Sequence, residues 1–238
     1  PVVTSNPVSI TQCEGINASF TVSATGYNLS YQWQVNTGSG WNNLPLAGYS
    51  GQLGTTLNVL APPVSMNGYQ YRCVVTGGCS PAATSGTATL NLYGKPAITS
   101  QPSNSTICLG SSTSFTVGTT GTALTYQWQT NTGSGWTNVT NGGVFSGATT
   151  ATLSLNAPPA TMAGNFRCNI AGTCSPSIST NVTTLTIQTA PTITSQPVDK
   201  IVCAGSNTFF ILNASAGGGT PVAYQWEVND GSGFTPLT

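Results

Sequence analysis

A step of 95 residues runs through this chain and decides what it can fold into. Cys13, Cys108 and Cys203 stand on that step, and so do Pro7, Pro102 and Pro197. Trp33 and Trp128, Cys73 and Cys168, and Cys79 and Cys174 keep the same spacing. Trp226 falls 98 after Trp128, because the third copy carries a small insertion around Gly217-Gly218-Gly219. A unit repeated in tandem is an architecture before it is a chemistry. At roughly 95 residues each unit has the size of one small domain. The 238 residues hold two whole copies and part of a third, with expected boundaries at 1–94, 95–190 and 191–238.

Within each copy the pattern is one of short strands. Each opens on an extended segment with proline at both ends, at 1–7, 96–102 and 191–197. Proline has no backbone donor, which suits an edge strand. After the turn Cys13-Glu14-Gly15, residues Phe20, Val22 and Ala24 alternate with polar ones, the mark of a half-buried strand. Leu29, Tyr31, Trp33 and Val35 then share one face. Asn36-Thr37-Gly38-Ser39-Gly40 reads as a hairpin turn of residues that tolerate positive φ, and Trp41 begins the return strand. Further strands at 55–59, 69–75 and 88–92 complete the unit, and no stretch shows helical periodicity. About seven strands in such a unit make an all-β sandwich. Trp33, Trp128, Trp226, Tyr71 and Phe166 are its expected core. The short, proline-bearing links at 92–96 and 187–191 restrict bending, so the array is expected to be an extended rod.

Charge narrows the function. Four Lys/Arg, four Asp/Glu and no histidine leave a net charge of zero and a charged fraction of 3%, against about 25% in ordinary domains. Nucleic acid and anionic membranes both attract clustered Lys/Arg, so neither is an expected partner. No apolar run reaches the ~20 residues of a membrane span, and no basic-then-apolar leader opens the chain. The start at Pro1 and the stop at Thr238 favour an excerpt from a longer protein.

These residues resemble an immunoglobulin-like domain. Trp33 stands where such domains carry the core tryptophan of the third strand, and Tyr71, two before Cys73, stands at the tyrosine-corner position. Phe166 lacks that hydroxyl in the second copy. Val22 stands where an antibody-type domain has its first cysteine, so that disulfide is not expected. More narrowly, the chain resembles the Ig-like repeats of very large secreted surface proteins of Bacteroidota bacteria. The matching pieces are Thr99-Ser100-Gln101-Pro102, Cys108-Leu109-Gly110, Tyr126-Gln127-Trp128-Gln129, Thr132-Gly133-Ser134-Gly135-Trp136, and Phe166-Arg167-Cys168 with Cys174-Ser175-Pro176. The resemblance covers the whole chain. It implies an extracellular or cell-surface protein of the type IX export route, among adhesins, surface filaments and non-catalytic arms of polysaccharide-degrading enzymes.

Seven cysteines, three per complete copy, point to an oxidising compartment. C-x5-C spacing with no histidine and one distant cysteine is not a usual zinc site, so no metal is expected. In related repeats with two cysteines, these fall at the positions of Cys13 and Cys79. The resemblance therefore implies Cys13–Cys79 and Cys108–Cys174, each loop worth roughly 4 kcal/mol in the entropic account. The topology sets Cys13 and Cys79 at opposite ends of the sandwich, which leaves two alternatives open. Cys73 with Cys79, and Cys168 with Cys174, would staple the final hairpin. Cys13 with Cys174 would instead weld one domain to the next. An unpaired Cys73 would be a small buried apolar residue.

Catalysis is not expected, and neither is a cofactor or metal. The only acids are Glu14, Asp199, Glu227 and Asp230, which neither pair nor repeat, and Glu14 and Asp230 read as turn residues. Six N-x-S/T sequons begin at Asn17, Asn28, Asn104, Asn138, Asn181 and Asn213, at positions that do not match between copies, and carry no assigned role. The second aromatic of the hairpin, Trp41, Trp136 or Phe234, either packs over the core or junction or stacks on a sugar ring. The expectation is thus a structural or adhesive segment of a bacterial extracellular filament, its partners copies of itself or neighbouring domains. The alternative is a carbohydrate-binding accessory module whose partners are surface glycans. The third copy stops before its closing strands, to be supplied by a continuing chain or by another subunit.

Overall fold

The computed structural model describes residues 1–217 and 221–237. Gly218 and Gly219 of the insertion, with Thr220 and Thr238, lie outside the described residues. The first repeat contains β1 (Val2–Ser5), β2 (Ile10–Cys13), β3 (Ala18–Thr21), β4 (Ser23–Thr25), β5 (Ser30–Asn36), β6 (Trp41–Asn43), β7 (Tyr49–Ser50), β8 (Thr56–Val59), β9 (Gln70–Thr76), β10 (Ala83–Thr84) and β11 (Ala88–Tyr93). One sheet runs β2-β11-β9-β5-β6, with β10 also on β9; the other runs β3-β8-β7, and β1 pairs with β4. Period-2 alternation sends one face of each strand inward. Tyr71, Cys73 and Val75 of β9 and Leu90 and Leu92 of β11 meet Phe20, Leu57 and Val59 across the sandwich, around a fully enclosed Trp33.

The second repeat copies this strand for strand: β12 (Ala97–Ser100), β13 (Ser105–Cys108), β14 (Thr113–Thr116), β15 (Gly118–Thr120), β16 (Thr125–Asn131), β17 (Thr137–Asn138), β18 (Phe145–Ser146), β19 (Thr152–Leu155), β20 (Gly164–Ala171), β21 (Ile178–Ser179) and β22 (Thr183–Gln188). Its sheets run β13-β22-β20-β16-β17, with β21 on β20, and β14-β19-β18, and β12 pairs with β15. Trp128, Phe115, Phe166, Leu153 and Leu185 are buried there. Both core tryptophans anchor their indole N–H on a loop carbonyl, Trp33 on Gly54 O and Trp128 on Thr150 O, each at 2.9 Å.

One pairing in each sandwich is parallel and matters most below. β2 lies on β11 with Cys13 opposite Tyr93, and β13 lies on β22 with Cys108 opposite Gln188. The first cysteine of a repeat is thereby carried to the end where the chain leaves that repeat. Cys79 follows β9, which is antiparallel to β11, and so lies at the opposite end.

In the third repeat, β23 (Thr192–Ser195) pairs with β24 (Asn213–Ser215), and β25 (Glu227–Asn229) pairs with β26 (Phe234–Pro236). Trp226 departs from the expectation of a core residue: it is 38% exposed, where Trp33 and Trp128 are at 0%. The reason is physical. Trp33 is enclosed by strands and a loop that follow it in the chain, with its indole N–H on Gly54 O, and among the described residues Trp226 carries no such cover.

The chain divides into two compact units whose border does not follow the 95-residue step. The first comprises Pro1–Ser100, Gly118–Tyr126 and Asn169–Ser179; the second comprises Gln101–Val117, Gln127–Cys168 and Thr180–Thr238. The tip of the second repeat thus belongs with the first.

Candidate functional site

Two constellations recur with the repeat. The first lies on the outer face of the larger sheet. The Asn36 carboxamide accepts from Gly38 N (2.9 Å) and Gly40 N (3.1 Å), closing the β5–β6 turn, and Asn131 and Asn229 do the same in the other copies. Asn and Gly suit this because the turn needs positive φ and a local side-chain acceptor. Each turn delivers an aromatic to the start of the return strand. Trp41 and Trp136 are half-buried there, one ring face covered by a guanidinium, with Arg72 4.2 Å and Arg167 4.3 Å from the ring centroids. Arg72 Nε donates to Gln34 Oε1 (2.9 Å), and Gln34 Nε2 donates to Asn43 Oδ1 (3.0 Å). The second repeat answers with Arg167 to Gln129 and Gln129 to Asn138, both at 2.8 Å. These are the only two arginines in the chain. The third repeat has Glu227 at the glutamine position and a Phe234 that is 71% exposed.

The signal for this ladder was present in the sequence and not drawn from it: Arg72-Cys73 and Arg167-Cys168 keep the step along with the tryptophans. A second missed pair is Tyr49 with Tyr71. Their hydroxyls meet at 3.4 Å and their rings at 6.2 Å, and burial pushes the Tyr71 phenol above its usual range. In the second repeat the corresponding rings are Phe145 and Phe166, at 6.4 Å, so both hydroxyls are absent together.

The second constellation is the junction after the first repeat. Cys13 is bonded to Cys174, with S–S 2.06 Å and Cα–Cα 5.7 Å. This replaces the expected pairings Cys13–Cys79 and Cys108–Cys174. The parallel β2–β11 pair sets Cys13 at the exit of its repeat, within reach of the loop after β20 and remote from Cys79. Cys174 is 1% exposed, its Sγ 3.4 Å from Tyr93 O, and Thr173 N donates to Thr122 O (3.1 Å). Gly94 N donates to Thr122 Oγ1 (2.9 Å), and Thr122 N returns a bond to Gly94 O (3.0 Å). Glu14 is more than a turn residue: its carboxylate accepts from Lys95 N (2.8 Å) and Val64 N (3.1 Å).

The remaining cysteines divide by burial. Cys73 and Cys168 are enclosed in the two cores, where burial pushes their thiols from 9.0 up to about 11. They are neutral and unreactive near pH 7, and the hairpin staples Cys73–Cys79 and Cys168–Cys174 are not formed. Cys79, Cys108 and Cys203 are exposed thiols.

Comparison with known proteins agrees with the sandwich. No family model matches the chain. Among solved structures, a two-immunoglobulin-domain fragment of DIP-gamma superposes with a TM-score of 0.59 at 15% identity, covering 79% of this chain and 98% of that one. A three-immunoglobulin-domain fragment of titin superposes at 0.56 and 16% identity, covering 99% and 80%. The chain is a tandem array of immunoglobulin-like β-sandwiches. In sequence, endoglucanase C of Cellulomonas fimi is 33% identical over 143 residues, which is 58% of this chain and 12% of that protein.

Proposed function

We propose that this chain is a structural, adhesive segment of an extracellular or cell-surface bacterial filament, of the Bacteroidota type that its motifs resemble, with neighbouring repeats as its principal partners. The observation that carries this reading is the Cys13–Cys174 bond, which joins one repeat to the next instead of closing a single sandwich. A bond so placed serves transmission of force along an array. It also suits an oxidising, extracellular location. Among the described residues no helix is long and apolar enough to cross a membrane.

Single-molecule extension tests it. Pulled by its ends, the oxidised chain passes tension from Cys13 through the sulfurs to Cys174 and shields the residues between. With 161 residues bypassed, reduction should release about 55 nm of additional contour at ~3.5 Å per residue. Equal extension with and without reductant would remove the mechanical reading.

A second reading is favoured by the recurring Trp–Arg pair and by the likeness to a segment of a cellulase. It makes the repeats carbohydrate-binding accessory modules of a secreted multidomain protein. Retention on cellulose and soluble β-glucans, lost in Trp41→Ala/Trp136→Ala, would establish it.

A further inference from the structure

The second repeat ends in an unfilled copy of the first junction. Leu109 N donates to Gln188 O (2.8 Å), as Glu14 N donates to Tyr93 O (2.9 Å). Thr189 N donates to Gly217 O (3.1 Å), where the first junction joins Thr122 N to Gly94 O. Glycine and threonine have changed sides, and a Cβ on Gly217 would run into Thr189. Beside them opens a pocket of about 450 Å³ lined by Cys108, Gln188, Thr189, Pro191 and Gly217. Set back by 95, these positions are Cys13, Tyr93, Gly94, Pro96 and Thr122. Those residues surround the Cys174 loop: Cys13 bonds it, Tyr93 O and Thr122 O touch it, and a Cβ on Gly172 would meet Pro96 at 3.3 Å.

We propose that this pocket is the socket for the Gly-x-Cys-Ser-Pro loop of the third repeat, the counterpart of Gly172-Thr173-Cys174-Ser175-Pro176, and that Cys108 is disulfide-bonded to that loop's cysteine. The third repeat already supplies Pro191 and Gly217 to the socket wall, just as the second supplies Pro96 and Thr122 to the filled one. A second molecule's Cys79 loop is a poorer occupant. It is tied to its own Tyr27, with Gly78 N donating to Tyr27 O (2.8 Å), and lies against its own Pro1, so it would bring duplicates of groups already in place. Bond formation consumes two thiols and passes two electrons and two protons to an exogenous disulfide such as oxidised glutathione, which leaves as two thiols. By the same rule Cys79, an exposed thiol, stands at the plug position of the first repeat. Because Cys108 lies between Cys13 and Cys174, successive covalent loops overlap, and the stretch 108–174 lies inside both. The inference rests on the first junction and holds whether the array is a shaft or a glycan binder, so its failure would leave the proposed function standing.

The test uses the oxidised 238-residue chain and the heptapeptide Ala-Gly-Thr-Cys-Ser-Pro-Ser, its thiol activated as a 2-thiopyridyl disulfide. Cys108 thiolate attacks the peptide sulfur and thiopyridone leaves, with tandem mass spectrometry locating the adduct. Docking before exchange should make Cys108 capture this peptide at least about tenfold faster than a scrambled peptide of the same composition. Cys203 is an internal control, an exposed thiol of the same repeat position with no parallel partner strand among the described residues. It should show no preference. Equal rates for the two peptides at Cys108, or an equal preference at Cys203, overturns the socket. A Cys79–Cys108 linked dimer, formed when the chain alone is oxidised, overturns the assignment to the third repeat's loop.

Discussion

The chain leaves its first repeat and its second through equivalent positions in the same strand register, yet of the two only the first exit is closed. At the first, Cys13 is bonded, Glu14 bridges Lys95 and Val64, and Cys174 is buried. At the second, Cys108 is exposed, Leu109 stands in place of the carboxylate, and a pocket opens where the loop would sit. The strands beneath are the same: Cys13 opposite Tyr93, Cys108 opposite Gln188. The disulfide therefore does not position its cysteine. Parallel pairing within one repeat does so beforehand, and the next repeat's loop arrives at a prepared site.

The largest expected effect sets a closed sandwich against the open third repeat. Trp128→Ala empties the centre of an enclosed core and should cost about 3–5 kcal/mol, whereas Trp226→Ala, at a ring already partly in solvent, should cost under about 1. Urea midpoints for the two variants give the contrast, and a comparable loss from both would mean that the third repeat packs as tightly as the others. Next comes the junction itself. Cys174→Ser should lower stability by about 2–4 kcal/mol, towards the upper end of what a long covalent loop contributes, while Cys108→Ser in this same chain should change it by less than about 0.5. Thermal midpoints under non-reducing conditions read the pair. A smaller effect isolates the carboxylate. Glu14→Ala removes the acceptor of two exposed backbone donors, which water can then take up, and should cost about 0.5–1.5 kcal/mol, and Leu109→Ala should cost less, because no polar bond depends on that side chain. Equal costs at the two positions would erase the distinction between the exits.

How much of this was legible beforehand follows from what periodicity can and cannot carry. The strands, the sandwich and the burial of Trp33, Trp128, Tyr71 and Phe166 are local: period-2 alternation between turn residues specifies each without knowledge of its partners. The disulfide is not local. Cys13–Cys79 and Cys13–Cys174 are equally compatible with the spacing, and only the parallel β2–β11 pair decides between them. Trp226 looks like its counterparts because the residues leading to it, Tyr224-Gln225-Trp226, are the same, while its exposure depends on residues elsewhere in a sandwich. Glu14 resembles an ordinary turn acid because Lys95 and Val64 are 81 and 50 positions away. The Tyr49–Tyr71 pair was visible only as a loss of one hydroxyl at Phe166, and its meaning needed the second loss at Phe145.

The smallest expected effect concerns the outer ladder, and it separates the two functional readings. Arg72 and Arg167 each cover one face of a tryptophan and lean on a glutamine, and in the third repeat Glu227 and Phe234 stand at the glutamine and tryptophan positions. Arg72→Ala should cost about 0.5–1 kcal/mol, since the stacked cation is partly solvated. The same change at Arg167 should cost the same, and both should shift tryptophan emission to the red as the ring gains water. If the ladder is only a cover for the sheet, neither variant alters retention on β-glucan. If the ring is a sugar platform, baring its second face must change retention: upward if the guanidinium competes with the sugar for the ring, downward if it donates to the sugar hydroxyls. Retention measured in parallel with the stability of each variant therefore distinguishes a structural stack from a binding surface at the residues both repeats share.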